Sequence, residues 1–451
     1  MIVNQKKLDR QLQIVDKWVK AGAKGTLEAV TAFGKTYTAI LAIKRLHRKY
    51  PHAVINVVVP GRDLHDQWIN PETGHIVKHG LHNINVFVVN TYIRYQHKCD
   101  LLILDEIHNY AADEFSRVFD QTEYQFILGL TATLERIDGR HQMIEELCPI
   151  IDTVSLMEAK REGYVADFHT FNWGLELSAE DREQYDKLHS IFNQCFAYFQ
   201  HDFDLAMACS IGGSSEVRIQ FAKRQGWDES VDHYYSPANV SRKAQQWRAA
   251  MSQRKKFIYT AGVKLDAIKK LVLKFPCKTM IFSENSEFAD KVEAMIGTDR
   301  CRAYHTNLQT QIVTERIEKT SRKGEVIVTY KEKKLGKDKL KKLILESFSK
   351  KDGIPILSTV KALDEGYDND LIEMAIMASY SSAKRQDTQR SGRGIRVNPF
   401  DEGKVSLLIN LYIKGTQEEK WLKEKQRGKE GIVWVDSISQ INRNSDEGIN
   451  L

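Results

Sequence analysis

Short, unbroken aliphatic runs separated by helix-length or loop-length segments constrain this chain more than any other feature. Val54–Val59, Val86–Val89, Leu101–Leu104 and Phe126–Leu130 are four to six residues long and rich in Val, Ile and Leu. Apolar runs this short, without polar alternation, read as strands covered on both faces, the habit of parallel sheets flanked by helices. A second set repeats the pattern: Thr279–Phe282, Pro355–Thr359, Glu373–Ala378 and Val405–Leu411. The prediction is two α/β domains. At about 150 residues per domain, a chain of 451 residues leaves room for a third unit.

That unit falls between the two sets. Residues 175–265 are rich in Gln, Lys, Arg and aromatics and nearly free of aliphatic runs, with Ala179–Phe199 and Ser241–Lys256 reading as helices and a loop around Gly212–Ser215. The expected division is a first α/β domain over 1–170, a helical connector or accessory domain over 171–265, a second α/β domain over 266–412, and a short C-terminal tail over 413–451. Inside the second domain, residues 316–342 form a dense basic run around a β-prone core, Glu325–Tyr330, bracketed by Gly324 and Gly336. That segment reads as a basic hairpin.

The balance of 66 basic to 60 acidic residues, net +6, permits a nucleic-acid partner without requiring one. The six cysteines show no C-x-x-C spacing, so neither a zinc site nor a disulfide framework is signalled. Reduced thiols and the lack of an apolar run of about 18 residues point to a cytoplasmic protein with no membrane association.

Two segments carry the chemistry. In Gly25-Thr-Leu-Glu-Ala-Val-Thr-Ala-Phe-Gly-Lys-Thr36 a strand-like run ends in a turn, and Gly34-Lys35-Thr36 opens a helix. Backbone amides at such a helix start cradle phosphates; Lys35 reaches the β- and γ-phosphates and the Thr36 hydroxyl suits Mg²⁺. The loop departs from G-x-x-x-x-G-K-[ST] in having Ala29 for the first glycine, and Ala32 stands where related loops carry glycine. Leu101-Leu-Ile-Leu-Asp-Glu-Ile-His108 is an aliphatic strand that delivers two carboxylates at its C-terminal end, where ligands bind in open α/β sheets. Asp105 suits the Mg²⁺ sphere and Glu106 suits polarising an attacking water. Together the two segments point to ATP and Mg²⁺ as cofactors.

With Asp-Glu-Ile-His at 105–108, the sequence resembles the DExH group of superfamily 2 helicases and translocases, and the other motifs follow in order. Arg10-Gln-Leu-Gln13 resembles the adenine-recognition motif, with Gln13 as base reader and Arg10 and Thr31 at the nucleotide. Val59-Pro-Gly-Arg-Asp-Leu-His-Asp-Gln-Trp68 and Asn90-Thr-Tyr92 resemble the two strand-contacting motifs, and Leu130-Thr-Ala-Thr133 the motif that couples nucleotide to nucleic acid, through His108, Thr131 and Thr133. Lys278–Glu284 and Tyr304-His-Thr306 resemble the first motifs of the second domain, and Ser358-Thr-Val-Lys-Ala-Leu-Asp-Glu-Gly-Tyr-Asp368 the next, with Gly366 and Asp368 toward the nucleotide. Gln389-Arg-Ser-Gly-Arg-Gly-Ile-Arg396 matches every fixed position of the final Q-R-x-G-R-x-x-R motif.

The resemblance implies two RecA-like parallel-sheet motor domains and an ATPase whose catalytic set is Lys35, Asp105, Glu106, Gln389, Arg393 and Arg396, with Thr36 and Asp105 on the metal. Arg393 and Arg396 would serve as arginine fingers across an interdomain cleft. Arg62, Thr91, Ser358 and Thr359 carry over as backbone contacts to a nucleic-acid strand, and Tyr330 of the basic segment is available to stack on a base. Within the superfamily the layout is similar to phage UvsW-type branch-migration helicases, which share Glu158-Ala-x-Arg-Glu-Gly-Tyr164 after the coupling motif. Type III restriction translocases and repair helicases have a similar layout. The implied protein is a monomeric DNA motor acting on forked or branched substrates, in a host cytoplasm if phage-encoded. RNA is the alternative track, and a motor subunit of a restriction or repair complex the alternative setting. The basic hairpin and an aromatic loop around Tyr234–Tyr235 are both candidates for separating strands.

Overall fold

The computed structural model describes residues 4–112, 114–135, 139–212, 215–229, 234–320, 326–360, 369–379, 403–428 and 431–443, and of 311–320 and 326–333 the backbone alone. The first sheet is built from β1 (Lys24–Ala29), β2 (Ile55–Val59), β3 (Ile84–Val88), β4 (His97–Asp105), β5 (Thr122–Thr131) and β6 (Ile150–Val154), in the order β3-β2-β4-β5-β1-β6. Every pairing in it is parallel. β2 is buried at all five positions, which is why its sequence shows no polar alternation.

The second sheet takes β7 (Asp167–Leu175), β8 (Thr279–Ser283) and β9 (Cys301–Tyr304). After β9 the chain makes a separate two-stranded ribbon, β10 (Gln311–Thr320) with β11 (Val326–Leu335). It then returns for β12 (Ile356–Val360), β13 (Met374–Met377), β14 (Val405–Ile413) and β15 (Ile432–Val435). The order is β15-β7-β14-β13-β8-β12-β9, and again all pairings are parallel. Two parallel sheets of six and seven strands with helices around them are the two α/β domains that the aliphatic runs predict, and match the RecA-like pair that the resemblance implies.

The domain edges fall differently from the sequence expectation. The 170/171 division lies inside β7, which enters the second sheet beside β14 before the connector begins. Its sequence, DFHTFNWGL, has no aliphatic run because Asn172 sits in a buried side-chain network, accepting from Asn410 Nδ2 at 2.6 Å and from Gln426 Nε2 at 3.1 Å. The segment read as a tail contributes β15, which pairs with β7.

Between β7 and β8 the chain forms the helices Ala179–Tyr198, Phe203–Ser210, Ser215–Arg224 and Pro237–Thr260. They share a core of Cys195, Tyr198, Phe199, Phe221, Val240 and Trp247, so the connector is a helical unit with its own buried centre. The junction with the second sheet holds a fully buried ion pair. Lys264 Nζ donates to Glu418 Oε1 and to the Ala378 carbonyl, each at 2.7 Å, and both side chains are 0% exposed.

Candidate nucleotide site

The strand order places the two chemical segments around one strand. β5 lies between β4 and β1, with Asp105 level with Leu130 and Glu28 level with Thr131. The phosphate loop, the acidic pair and Thr131 therefore leave the sheet at the same height, along its C-terminal edge.

The loop from Val30 to Gly34 turns directly into α2 (Lys35–Lys49). Gly34 has φ +92°, and a β-carbon there would lie 2.8 Å from Gln11 Nε2, so glycine is required for conformation and for space. Ala32 also has positive φ, +75°, in a region that costs a non-glycine residue on the order of 1–2 kcal/mol. The alanine that departs from the family's glycine keeps the glycine-like backbone. Lys35 Nζ lies 3.2 Å from the Ala29 carbonyl.

A helix preceding the loop, α1 (Gln5–Lys20), holds it in place. Gln11 is buried and donates from Nε2 to the carbonyls of Phe33, at 3.0 Å, and Gly34, at 3.4 Å. Lys7 Nζ donates to the Ala32 carbonyl at 2.7 Å and to Tyr164 O at 3.1 Å. Phe33 packs edge-on against the Tyr164 ring, centroids 5.6 Å apart. The stretch at 158–164 is thus a second wall of the loop.

The two residues of this helix expected at the nucleotide, Gln13 and Arg10, have different surroundings. Gln13 is exposed; two residues from Gln11 along a helix is about 200° of rotation, so the glutamine that meets the loop is Gln11. Arg10 is committed to carboxylates, forking onto Asp152 at 2.7 and 3.0 Å and reaching Glu158 at 3.1 Å. Burial alone would raise the Asp152 carboxyl, but the hydrogen bonds from Arg10 and Lys17 outweigh it and hold it below the usual range. Arg10 ties α1 to β6 and the segment after it, with four hydrogen bonds directed there. Sequence reasoning passed over Lys7 and Gln11, although they fall on the same face as the buried Ile14, Val15 and Trp18.

At the end of β4, Asp105 is 4% exposed and Glu106 adopts a left-handed conformation, φ +50° and ψ +53°. That turn brings the Glu106 carboxylate to 3.4 Å from His108 Nδ1. The same nitrogen lies 2.8 Å from the Thr131 hydroxyl. The hydroxyl in turn donates to Thr133 O at 3.0 Å and accepts from Thr133 N at 3.2 Å. With its proton on Thr133 O, the Thr131 oxygen must accept from His108, which fixes the proton on Nδ1. Hydrogen bonds therefore join His108 to the loop after β5, and the Glu106 carboxylate stands beside His108 without a hydrogen bond of its own from Oε2.

The donor set fits a nucleotide with a divalent cation. Thr31 Oγ1 and Glu106 Oε2 are buried without a hydrogen-bond partner, positions that a polar ligand would satisfy. Thr36 stands in the first turn of α2 and Asp105 ends β4, the two residues that would hold the metal.

Of the expected nucleic-acid contacts, Arg62 begins α3 (Arg62–Ile69) just after β2, and Thr91 follows β3; both are exposed. Ser358 and Thr359 are not at a surface. Each is 0% exposed, because β12 is an interior strand between β8 and β9. Tyr330 stands opposite Arg316 in the ribbon, and its side chain lies outside the description. Gly366, Asp368, Gln389, Arg393 and Arg396 lie outside the described residues. Among the described residues there is no cluster of metal-ligating side chains and no helix long and apolar enough to cross a membrane.

Comparison with known proteins agrees with this construction. Residues 5–77 and 79–136 match the family described as "Type III restriction enzyme, res subunit". The chain is 23% identical over 432 residues to the DNA 3'-5' translocase XPB2 of Sulfurisphaera tokodaii, spanning 91% of this chain and 82% of that protein. Its fold is similar to the Hef helicase domain of Pyrococcus furiosus, with TM-score 0.51 and 14% identity over 94% of this chain and all of that one. It is likewise similar to a fragment of an HsdR subunit of a type I restriction enzyme from Vibrio vulnificus, with TM-score 0.53 and 16% identity over 94% of this chain and 68% of that one.

Proposed function

We propose that the chain is an ATP-hydrolysing motor of the superfamily 2 helicase and translocase class that runs on DNA, unwinding or branch-migrating forked or branched duplexes. The observation that carries the motor reading is the hydrogen-bonded path His108–Thr131–Thr133, which begins 3.4 Å from the Glu106 carboxylate. A plain ATPase has no use for a buried relay from beside its water-polarising carboxylate to a loop at the edge of the sheet. A motor needs one, because hydrolysis must be felt where the strand is held.

In this reading the amides at the start of α2 and Lys35 position the phosphates, and Thr36 and Asp105 hold Mg²⁺, which neutralises developing charge during phosphoryl transfer. Glu106 orients the attacking water. Arg393 and Arg396, with Gln389, complete the site from the second domain, Gly366 and Asp368 adjoin the nucleotide, and Gln13 is left open to a base. Arg62 and Thr91 grip the backbone from the first domain, a sequence-tolerant and salt-dependent mode. The relative named as a DNA translocase supports DNA as the track. Branched substrates rest on the similarity of the Glu158–Tyr164 stretch to branch-migration helicases, and a monomer suffices because one chain supplies both motor domains.

One substrate panel tests this. ATPase stimulation and unwinding are measured with single-stranded DNA, tailed duplexes, forks, four-way junctions and RNA hybrids. Stimulation by DNA with preferential action on forks and junctions is expected; stimulation by RNA equal to or above that by DNA would overturn the choice of track.

A further inference from the structure

The motor does not account for the ribbon β10–β11. Its strands pair rung for rung from Gln311 opposite Leu335 to Thr320 opposite Val326, and neither joins a main sheet. Among the described residues its extensive backbone packing is strand against strand. The root, by contrast, is anchored: Leu335, at the end of β11, is buried, and Leu308 and Leu340 on either side of the ribbon belong to the hydrophobic core. A two-stranded ribbon with no third strand and no helix over it is marginally stable in water, so one carried on a fixed root is shaped for something outside the chain.

Charge says what that is. The ribbon, residues 311–335, holds seven basic and four acidic residues, a net +3, and the helix at its root, Lys337–Phe348, adds Lys337, Lys339, Lys341 and Lys342, so that 316–342 carry a net +7 against +6 for the whole chain. The rest of the molecule is close to neutral. Strands of ten residues span about 33 Å, close to one turn of B-form DNA at about 34 Å, and the major groove is wide enough to admit a two-stranded ribbon.

We propose that the ribbon is a second DNA-binding element, which engages the major groove and phosphates of duplex DNA over about one turn, separately from the strand that the ATPase domains move along. The proposal rests on the DNA-motor reading above, and its test is arranged so that the two fail separately. Held on the duplex arm, the ribbon would keep a branched substrate attached while the motor domains open and close.

Because Gln311 and Leu335 face each other as paired residues, residues 312–334 can be excised and the ends joined by an Asn-Gly turn. A milder variant replaces Lys331, Lys333 and Lys334 of β11 with Gln. Duplex-DNA affinity is measured against salt concentration, alongside ATPase stimulated by single-stranded DNA. The expected result for both variants is at least a tenfold loss of duplex affinity, with single-strand-stimulated ATPase within twofold of the parent. For the triple Gln variant the slope of log affinity on log salt should fall by about 2–3, from roughly 0.9 per phosphate contact. Unchanged duplex affinity in the triple variant overturns the proposal. So does equal binding of duplex RNA by the parent, since the RNA major groove is too narrow for a ribbon. Loss of single-strand-stimulated ATPase in a folded variant also overturns it, by making the ribbon part of the motor track. A parent whose ATPase no DNA stimulates refutes the motor reading instead.

Discussion

His108 Nδ1 sits 2.8 Å from the Thr131 hydroxyl, joining the segment after β4 to the end of β5 at the height of the phosphate loop. Thr131→Val keeps the shape and removes the hydroxyl, leaving His108 without its acceptor. Basal ATPase should persist while stimulation by nucleic acid falls about tenfold, the equivalent of ~1.4 kcal/mol. Steady-state ATPase with and without DNA checks it, and equal stimulation in mutant and parent would sink the relay.

The catalytic assignments separate binding from turnover. Lys35→Ala should abolish ATP hydrolysis. Glu106→Gln should lower kcat by about 10²–10³, the scale seen when one preorganised catalytic group is lost, while nucleotide still binds. Fluorescent-nucleotide titration beside an ATPase assay reads both quantities, and a parent-like rate in either variant removes the assignment.

Gln11 and Gln13 make opposite predictions. Gln11→Ala strips two carbonyls in the loop of their donor, so KM for ATP should rise several-fold and stability should fall by about 1–3 kcal/mol, the cost of leaving buried acceptors unpaired. Gln13→Ala should leave the melting temperature unchanged and relax the preference for ATP over GTP. Thermal melts and nucleotide competition distinguish the two; a melting shift in Gln13→Ala rather than in Gln11→Ala would reverse their roles.

The Lys264–Glu418 pair lies wholly inside the molecule, and burial lowers the affinity of Lys264 for its proton while Glu418 works to keep it. Lys264→Met alone strands a carboxylate and should cost about 3–5 kcal/mol. Lys264→Met with Glu418→Leu removes both charges and should recover most of that loss. Urea unfolding of the single and double variants checks the difference; equal destabilisation would mean packing, not charge, governs the site.

Acid sensitivity is expected in the helical unit. His189 Nδ1 lies 2.8 Å from Arg254 Nη1, and burial, then Arg254 and Lys420, hold its affinity for a proton below the ordinary value, with only Asp186 opposing. The fold favours neutral His189, so stability is full above about pH 6.5, the unfolded histidine value. It is lost as pH falls from there through the lowered folded value, because the unfolded chain takes the proton first. His189→Gln should flatten stability between pH 7 and 5. Melting temperatures across that range decide, and an unchanged slope would clear His189 of the role.

Much of the fold was legible because burial on both faces leaves a direct imprint. β2, β4, β5, β8, β12, β13 and β14 all coincide with aliphatic runs. β7 was not legible, since its residues answer to a side-chain network with Asn410 and Gln426 more than two hundred positions away. The same limit applied to Arg10: its spacing matched a motif, but its partners Asp152 and Glu158 are set by how β6 meets α1.

The sequence by itself determined which residue types stand at the short, local spacings that phosphate binding and water activation need: Gly34-Lys35-Thr36 and Asp105-Glu106. Only the tertiary structure decided that Gln11 rather than Gln13 meets the loop, that Ser358 and Thr359 lie inside a sheet, and that Glu106 stands beside His108, whose hydrogen bond to Thr131 leads on to Thr133. Those facts depend on which strands become neighbours and which face of a helix turns inward. Neighbour choice is fixed by packing over the whole sheet, and no local stretch of chain encodes it.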